Sequence, residues 1–187
     1  MKVPRDLEIK HYDRKLLLRP AELEDGPAIL KAIQMSGAAL SQWMDWYRPD
    51  FSLDITTEWL KTLSAAWEQG TNFQFVIMDD EIQQCVGTCG INHINQTWLI
   101  ANLGYWIRTD RTGEGMATDA AKLLALFGFR HLGLRRIEIV TGVENWGSRR
   151  VAEKARATFE GILRNRLKLG EKNIDAAMYS ILPEDIT

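Results

Sequence analysis

The order of apolar and polar residues divides most of the chain into alternating strands and helices. Short runs with strand-like alternation or dense apolar content, bounded by turn residues, predict seven strands. They cover residues 16–19, 73–78, 82–91, 99–107, 136–141, 158–168 and 174–182. Helical spacing of apolar residues predicts four helices, at 24–37, 54–68, 117–132 and 145–154. Residues 73–107 therefore read as an antiparallel meander, and the whole chain as a mixture of helix and sheet.

The length and apolar content fit a single domain. The chain has 187 residues, of which 45% are hydrophobic, and this suffices for a sizeable core. Residues 1–13 are polar and predict a loose N-terminal lead-in. The domain itself is expected to span residues 14–183.

Net charge limits the possible partners, and the distribution of apolar residues limits the possible compartments. A net charge of −2 argues against direct nucleic-acid binding, which needs clustered positive charge. The N-terminus lacks a signal-peptide core, and no apolar run approaches the roughly 20 residues needed to cross a membrane. We therefore expect a cytoplasmic protein that does not associate with membranes.

The two cysteines predict structural thiols. Cys85 and Cys89 stand four residues apart in a predicted strand, so they should share one face about 13 Å apart. That distance is too long for a disulfide. Buried thiols in a reducing compartment are the simplest interpretation.

The most informative stretch runs from Tyr105 to Lys122. An apolar strand ends at a polar turn that contains Gly113 and Gly115, and a long helical pattern follows. The first turn of a helix has unpaired N–H groups and a partial positive charge. Glycines before it let an anion approach the backbone closely. This stretch fits neither a Walker A loop nor a dinucleotide fingerprint, because it lacks Gly-Lys-Ser/Thr and a third glycine.

Motifs further along give this turn its context. The turn reads Thr112-Gly-Glu-Gly-Met-Ala117, and about thirty residues later stands Asn145-Trp-Gly-Ser-Arg-Arg-Val-Ala-Glu-Lys154. Phe159-Glu-Gly-Ile-Leu-Arg164 and Tyr179-Ser-Ile-Leu182 follow. Together these motifs resemble the GNAT acetyltransferase superfamily, in particular its RimJ/RimL-like branch, over residues 14–183.

The resemblance implies an α+β fold in which a mixed, mostly antiparallel sheet of six to seven strands is flanked by about four helices. It implies acetyl-CoA as the donor and a primary amine as the acceptor, with no metal. Residues expected to bind the cofactor are Ile107, Arg111, Gly113, Glu114, Gly115, Met116, Ala117, Thr118, Asn145 and Ser148. Amides of the glycine turn would hold the pyrophosphate, and the free edge of the preceding strand would pair with the pantetheine arm.

Two positions depart from the family pattern. The Arg or Gln that usually opens the turn is Thr112, and Arg111 could substitute for it. The glycine that usually follows the last helix is Arg156. A non-glycine residue with left-handed backbone at a helix end costs about 1 kcal/mol.

Proton transfers suggest two catalytic candidates. Ser148 stands where the family places a hydroxyl near the cofactor sulfur, so it could act as the general acid. A first-turn hydroxyl that only satisfies the helix backbone is the alternative. Glu160 could act as the base if burial raised its pKa, with Asn92 and His93 as runners-up. A side chain with a purely packing role remains the alternative for His93.

The acceptor is less well defined by the sequence. Trp43 and Trp46 lie in a polar segment between the first two helices, so they could line the acceptor site or plug the core. With Asn92 and His93 they make up the predicted substrate-binding set. A protein N-terminal α-amine, possibly ribosomal, is the leading acceptor. The alternatives are a small amine such as a polyamine, amino acid or antibiotic, or a non-catalytic acyl-CoA-binding module, and the chain could be a monomer or homodimer.

Overall fold

The computed structural model describes residues 3, 5, 8–11, 16–79 and 81–186. Within them the strands are β1 Ile9–His11, β2 Leu16–Pro20, β3 Phe73–Asp79, β4 Gln84–Asn95, β5 Ile100–Ile107, β6 Arg136–Gly142, β7 Thr158–Leu169 and β8 Lys172–Ile181. The helices are α1 Gly26–Trp43, α2 Leu53–Glu68, α3 Met116–Leu132 and α4 Trp146–Lys154. Short 3-10 turns lie at Leu23–Asp25, Thr109–Arg111 and Pro183–Asp185.

All eight described strands join one sheet in the order β1-β2-β3-β4-β5-β6-β8-β7. Neighbouring strands run antiparallel except for β5 and β6, which are parallel. The mostly antiparallel α+β architecture with four flanking helices is therefore confirmed. The additional strand, β1, lies inside the segment predicted to be a lead-in, and its three residues are too few to show a sequence period.

The parallel pair β5–β6 opens partway along its length. β5 pairs with β4 as far as Ile107, but its pairing with β6 covers only Ile100 to Asn102. The rest of β6 pairs with β8 instead. Residues 103–107 of β5 therefore leave the edge facing β6 outside the sheet ladder, consistent with the free edge that the family resemblance implied for this strand.

Apolar residues fill both faces of the sheet. On one face α3 contributes Leu124 and Phe127 to a cluster with Phe75 and Tyr179. On the other, α1 and α2 contribute residues such as Ile29 and Leu60 to a cluster with Trp106. Successive strand residues point to opposite faces, so β5 presents Leu103 to the α3 face and Trp106 to the α1 face.

The first helix is longer than predicted. The sequence places its end near Ser36-Gly37, whereas α1 continues to Trp43. Ser36 is buried and donates a hydrogen bond to the carbonyl of Ala32 at 2.9 Å. A Cβ at Gly37 would lie 2.5 Å from the Tyr47 hydroxyl. The glycine makes room for a tertiary contact, so it does not end the helix.

The prediction that the two cysteines share one face is wrong. The register of β3 and β4 shifts between Ile77 and Met78, because a β-bulge adds a residue to β4. As a result Cys89 packs in the cluster under α3, whereas Cys85 packs in the cluster under α1. Both thiols are buried and unbridged, and burial raises the pKa of Cys85 to about 11.

Two loops meet beyond the open end of β5 and β6. The backbone N–H of Gly170, in the β7–β8 turn, donates to Asp45 Oδ1 at 3.1 Å. Asp45 belongs to the α1–α2 loop. Trp43, at the end of α1, lies against Gly142 at the end of β6, where a Cβ would sit 3.4 Å from its indole ring. The α1–α2 segment is therefore joined to the far side of the splayed strands.

Arg156 takes the left-handed backbone expected at the end of α4. Its φ is 68°, and its N–H donates to the Glu153 carbonyl at 3.0 Å. Its guanidinium reaches the Asp185 carbonyl at 3.4 Å. The departure from glycine therefore places a side chain on a strained backbone and adds only one long, exposed hydrogen bond.

We expect Arg156→Gly to raise the free energy of unfolding by about 0.5–1 kcal/mol, because glycine adopts a positive φ without steric cost. Urea unfolding would measure the change. Arg156→Ala is the matched control, since it loses the guanidinium but keeps the strain, and it should not stabilise. A gain as large in the alanine variant would rule out backbone strain as the cause.

Candidate active site

The predicted anion cradle forms at the N-terminus of α3. Gly113 and Gly115 have φ values of 86° and 88°, which only glycine adopts without strain. A Cβ at Gly113 would meet no atom within 4 Å, so the turn faces open space. The 17-residue helix that follows directs its first unpaired N–H groups and its positive dipole end toward this turn. The geometry suits a phosphate group.

Side chains in the cradle region separate into two groups. Met116 and Thr118 are buried, so only their backbone amides are available to a ligand. Glu114 is exposed and accepts from Arg111 Nε at 3.0 Å. The same guanidinium donates to Asp79 Oδ2 at 2.5 Å. Arg111 thus ties the cradle to the β3–β4 turn, and its predicted contact with a phosphate stays a prediction.

The turn before the cradle is also held from α1. The N–H of Thr109 donates to the Ser36 hydroxyl oxygen at 3.1 Å. Arg108 is buried and makes two hydrogen bonds with Asp110, at 2.9 and 2.6 Å. It also donates to Gln84 and to the carbonyl of Cys85. Bonds to α1 and β4 therefore fix the path by which β5 leads into the cradle.

Asn145 and Ser148 lie at the N-terminus of α4, across from β5. Asn145 Oδ1 accepts from the Ser148 N–H at 3.1 Å, so Asn145 caps the helix that the sequence predicted to begin there. The Ser148 hydroxyl lies 3.1 Å from the phenol oxygen of Tyr105 on β5. Burial raises the pKa of Tyr105 to about 12, with its bond to Ser148 acting in the opposite sense. Two hydroxyls thus meet beside the free edge of β5.

On the opposite face of β5, an uncovered stretch of strand lies between a pair of amide side chains and a pair of indoles. Asn102 Nδ2 donates to Asn92 Oδ1 at 2.9 Å, where the pairing of β5 with β6 ends. The next residue on this face is Gly104, whose Cβ would meet only Asn102, at 4.0 Å. Beyond it lies Trp106, 6.2 Å from the ring of Trp46. We name the open space over Gly104, between these pairs, the Gly104 channel.

The predicted acceptor residues divide around this channel. Trp46 is 42% exposed and borders the channel through Trp106, whereas Trp43 packs against Gly142 at the end of β6, as described above. Asn92 lies at the amide end. His93 is exposed and follows it with a φ of 50°, in the region where the β4–β5 register shifts.

Glu160 is not supported as a general base. Its carboxylate accepts two hydrogen bonds from Arg136, at 2.7 and 2.5 Å, and a third from Ser180 at 2.7 Å. These bonds, those from Arg136 foremost, lower its pKa from 4.5 to about 2. The expected rise is therefore wrong, because an arginine partner outweighs the little burial available. Arg136 also begins β6, at the paired end of the parallel strands.

Sequence reasoning missed Tyr105, Asn102 and Gly104. All three lie in the strand predicted to hold the pantetheine arm, where only the backbone was given a role. Their alternation along a strand indicates that Tyr105 faces away from the other two. The sequence pattern does not show which face of the sheet each residue occupies. Nor does it show that β4 brings Asn92 to Asn102 or that α4 brings Ser148 to Tyr105, because both contacts depend on packing.

Two negative findings apply to the part of the chain that the structure describes. No three or more His, Cys, Asp or Glu side chains come together there in a way that could hold a metal ion. None of the described helices is both long and apolar enough to cross a membrane.

Comparison with known proteins identifies the class that this fold and site define. Residues 15–158 match the family model for the acetyltransferase (GNAT) domain. The chain belongs to the GNAT acetyltransferase family, whose members transfer acetyl groups. The N-acetyltransferase p20 of Bacillus licheniformis is 29% identical over 174 residues, which is 93% of this chain and 96% of that protein.

Solved structures agree with this assignment. RimJ of Mycobacterium smegmatis, in complex with a CoA disulfide, is 26% identical with a TM-score of 0.81, over 91% of this chain and 83% of that one. A Vibrio cholerae protein assigned as a ribosomal-protein-serine acetyltransferase is 28% identical with a TM-score of 0.84, over 97% and 100% of the two chains. The RimJ/RimL-like resemblance drawn from the motifs is therefore confirmed.

The ion pair at Glu160 predicts a pH-dependent contribution to stability. Because the folded pKa of about 2 lies below the ordinary 4.5, the contribution is present above about pH 4.5 and is lost as the pH falls through about 2. Glu160→Gln should therefore destabilise by at most about 1 kcal/mol at pH 7, since the pair is partly exposed.

Urea unfolding at pH 7, 5, 4 and 3 would measure this difference for the wild type and Glu160→Gln. The gap between the two proteins should narrow as the pH falls. Transfer activity should stay within about threefold of the wild type at pH 7. A loss of a hundredfold or more would restore Glu160 as a catalytic candidate.

Proposed function

We propose that the protein is an acetyl-CoA-dependent N-acetyltransferase that modifies the N-terminal α-amine of a protein. The observation that carries this proposal is the opening between β5 and β6. A glycine turn suited to a phosphate and the hydroxyl pair of Ser148 and Tyr105 lie on one face of β5, and the Gly104 channel lies on the other. Donor and acceptor could then approach the same stretch of β5 from opposite faces. We propose that residues 14–183 form the catalytic domain, with β1 added at its edge.

The chain offers a binding group for each part of the donor. Amides from Gly113 to Ala117 bind the pyrophosphate, and the free edge of β5 pairs with the amides of the pantetheine arm. Asn145 holds the first turn of α4 beside that arm. When bound, acetyl-CoA supplies an activated thioester carbonyl. The backbone N–H near Ile107 polarises its oxygen, and Ser148 donates a proton at the sulfur.

The acceptor reaches β5 through the Gly104 channel. Asn92 and Asn102 offer amide groups at one end, and the indoles of Trp46 and Trp106 form the other. Because Gly104 has no side chain, the N-terminus of an extended acceptor peptide can lie directly over the backbone of β5 there. His93 lies exposed beyond Asn92, where it could contact residues that follow the amine.

The named activities of relatives favour a protein acceptor over a small amine. The Vibrio cholerae relative is assigned to the serine of a ribosomal protein, and a Bacillus subtilis relative, 31% identical over 99 residues, is named as a ribosomal N-acetyltransferase. Peptides that begin with serine or alanine are therefore the first acceptors to try. The cytoplasm remains the compartment expected from the sequence.

Calorimetric titration with acetyl-CoA tests the donor site. Gly113→Glu places a carboxylate where the phosphates would lie, so we expect acetyl-CoA to bind at least tenfold more weakly. Gly133→Glu is the matched control, because Gly133 ends the same helix with φ of 66° and equally open surroundings. Both variants should lose about 1 kcal/mol of stability, but only the first should lose binding. No binding to the wild type would refute the proposal.

Steady-state transfer to an octapeptide with an N-terminal serine tests the acceptor channel. Gly104→Ala and Gly104→Val should lower kcat/KM for the peptide, by about fivefold and by more than fiftyfold, because each added group narrows the channel. Acetyl-CoA affinity should stay within about twofold. Unchanged peptide kinetics in the valine variant would place the acceptor elsewhere.

A further inference from the structure

The hydroxyl of Tyr105 has a position that the proposed chemistry does not yet use. It comes from the part of β5 that does not pair with β6, on the face covered by α3 and α4. Its oxygen lies 3.1 Å from the Ser148 hydroxyl oxygen and 3.1 Å from the Ser148 carbonyl oxygen. Both contacts go to one residue in the first turn of α4. A phenol hydroxyl shielded from water needs one hydrogen-bond partner, and this one has two possible acceptors on the residue proposed to donate at the sulfur.

Counting protons shows what these two contacts allow. Tyrosine and serine hydroxyls have one proton each, whereas a carbonyl only accepts. If Tyr105 donates to the carbonyl, Ser148 can donate its own proton to the Tyr105 oxygen. If Tyr105 donates to the Ser148 hydroxyl oxygen, the Ser148 proton must point elsewhere. Because the two acceptors are equidistant, rotation of the two O–H bonds, with no movement of the heavier atoms, takes the pair from one arrangement to the other.

We propose that Tyr105 is a positioning residue that acts through Ser148, by turning the serine proton toward the departing sulfur. The inference rests on the proposed role of Ser148 as the donor to that sulfur. As negative charge grows there, the Ser148 O–H becomes the donor to it, and Tyr105 transfers its hydrogen bond from the carbonyl to the serine oxygen. A hydrogen bond received by a hydroxyl strengthens the one it gives.

Tyr105 keeps its proton in this arrangement. Burial holds its pKa near 12, so the phenol remains a donor at any pH at which the enzyme is expected to work. Tyr179 is a titratable neighbour that also raises this pKa, but its hydroxyl bonds elsewhere: it accepts from Arg149 at 3.1 Å and donates to Glu153 at 3.3 Å. No proton leaves Tyr105. The proton that Ser148 gives to the sulfur is replaced by the one that the acceptor nitrogen (or, in hydrolysis, water) loses on acylation, so the serine ends the cycle neutral.

A double-mutant cycle tests this coupling. Tyr105→Phe keeps the ring and removes the hydroxyl. We expect it to lower kcat for the serine peptide about tenfold and to leave the affinity for acetyl-CoA within about twofold. In a Ser148→Ala background the same substitution should have no further effect, because the residue through which it acts is gone.

Tyr179→Phe is the matched control, since it removes a neighbouring phenol hydroxyl that does not contact Ser148. Its effect on kcat should multiply with that of Ser148→Ala. Multiplicative effects of Tyr105→Phe and Ser148→Ala, or an unchanged kcat in Tyr105→Phe, would overturn the inference.

The assay can separate this inference from the proposed function. If the peptide is not an acceptor, release of CoA thiol during hydrolysis of acetyl-CoA by the wild type provides the rate for the same cycle. Peptide transfer by the wild type together with a silent Ser148→Ala would preserve the proposed function and refute the role of Tyr105. If the wild type does not acetylate the peptide, but Tyr105→Phe and Ser148→Ala remain coupled in the hydrolysis assay, the proposed function is refuted and the role of Tyr105 is supported.

Discussion

The structure depends on the place where the only parallel strand pair of the described sheet stops pairing. β5 follows β4 to its end but leaves β6 after Asn102, because β6 continues beside β8. A strand whose hydrogen-bonding edge is open inside a sheet costs free energy unless another partner supplies the missing bonds. The opening therefore divides the sheet and leaves backbone groups of β5 without a strand partner on that side, which is where the proposed function places the pantetheine arm.

Each face of this opening has its own chemistry because side chains alternate along β5. One face brings Tyr105 to the first turn of α4, beside the cradle at the start of α3. The other presents Asn102, Gly104 and Trp106 beneath the α1–α2 segment. Hydrogen bonds from Thr109 to Ser36, from Arg111 to Asp79 and from Gly170 to Asp45 hold these elements in place. Under the proposed function the donor and the acceptor occupy opposite faces, so the acceptor site can change without a change in the donor site.

Polar groups at the site are controlled mainly by neighbouring groups on other elements. Glu160 became an unsuitable base because Arg136, far away in sequence, binds it and lowers its pKa. Tyr105 keeps its proton because partial burial beneath α4 raises its pKa to about 12. In both cases the local sequence contains the titratable residue but not the partner that decides its ionisation. Contacts between distant elements therefore determine which of the predicted groups can take part in catalysis.

The sequence by itself determined the order of the four helices and of seven strands, the two glycines of the cradle and the start of the last helix at Asn145. These features follow from local physics, namely residue periodicity, capping and the steric freedom of glycine. Only the tertiary structure decided where β5 and β6 separate, which face each cysteine occupies, why α1 passes through Gly37, and which side chains meet at the opening. Those outcomes depend on strand register, on a bulge and on contacts between residues distant in sequence. The local order of apolar and polar residues does not specify any of these.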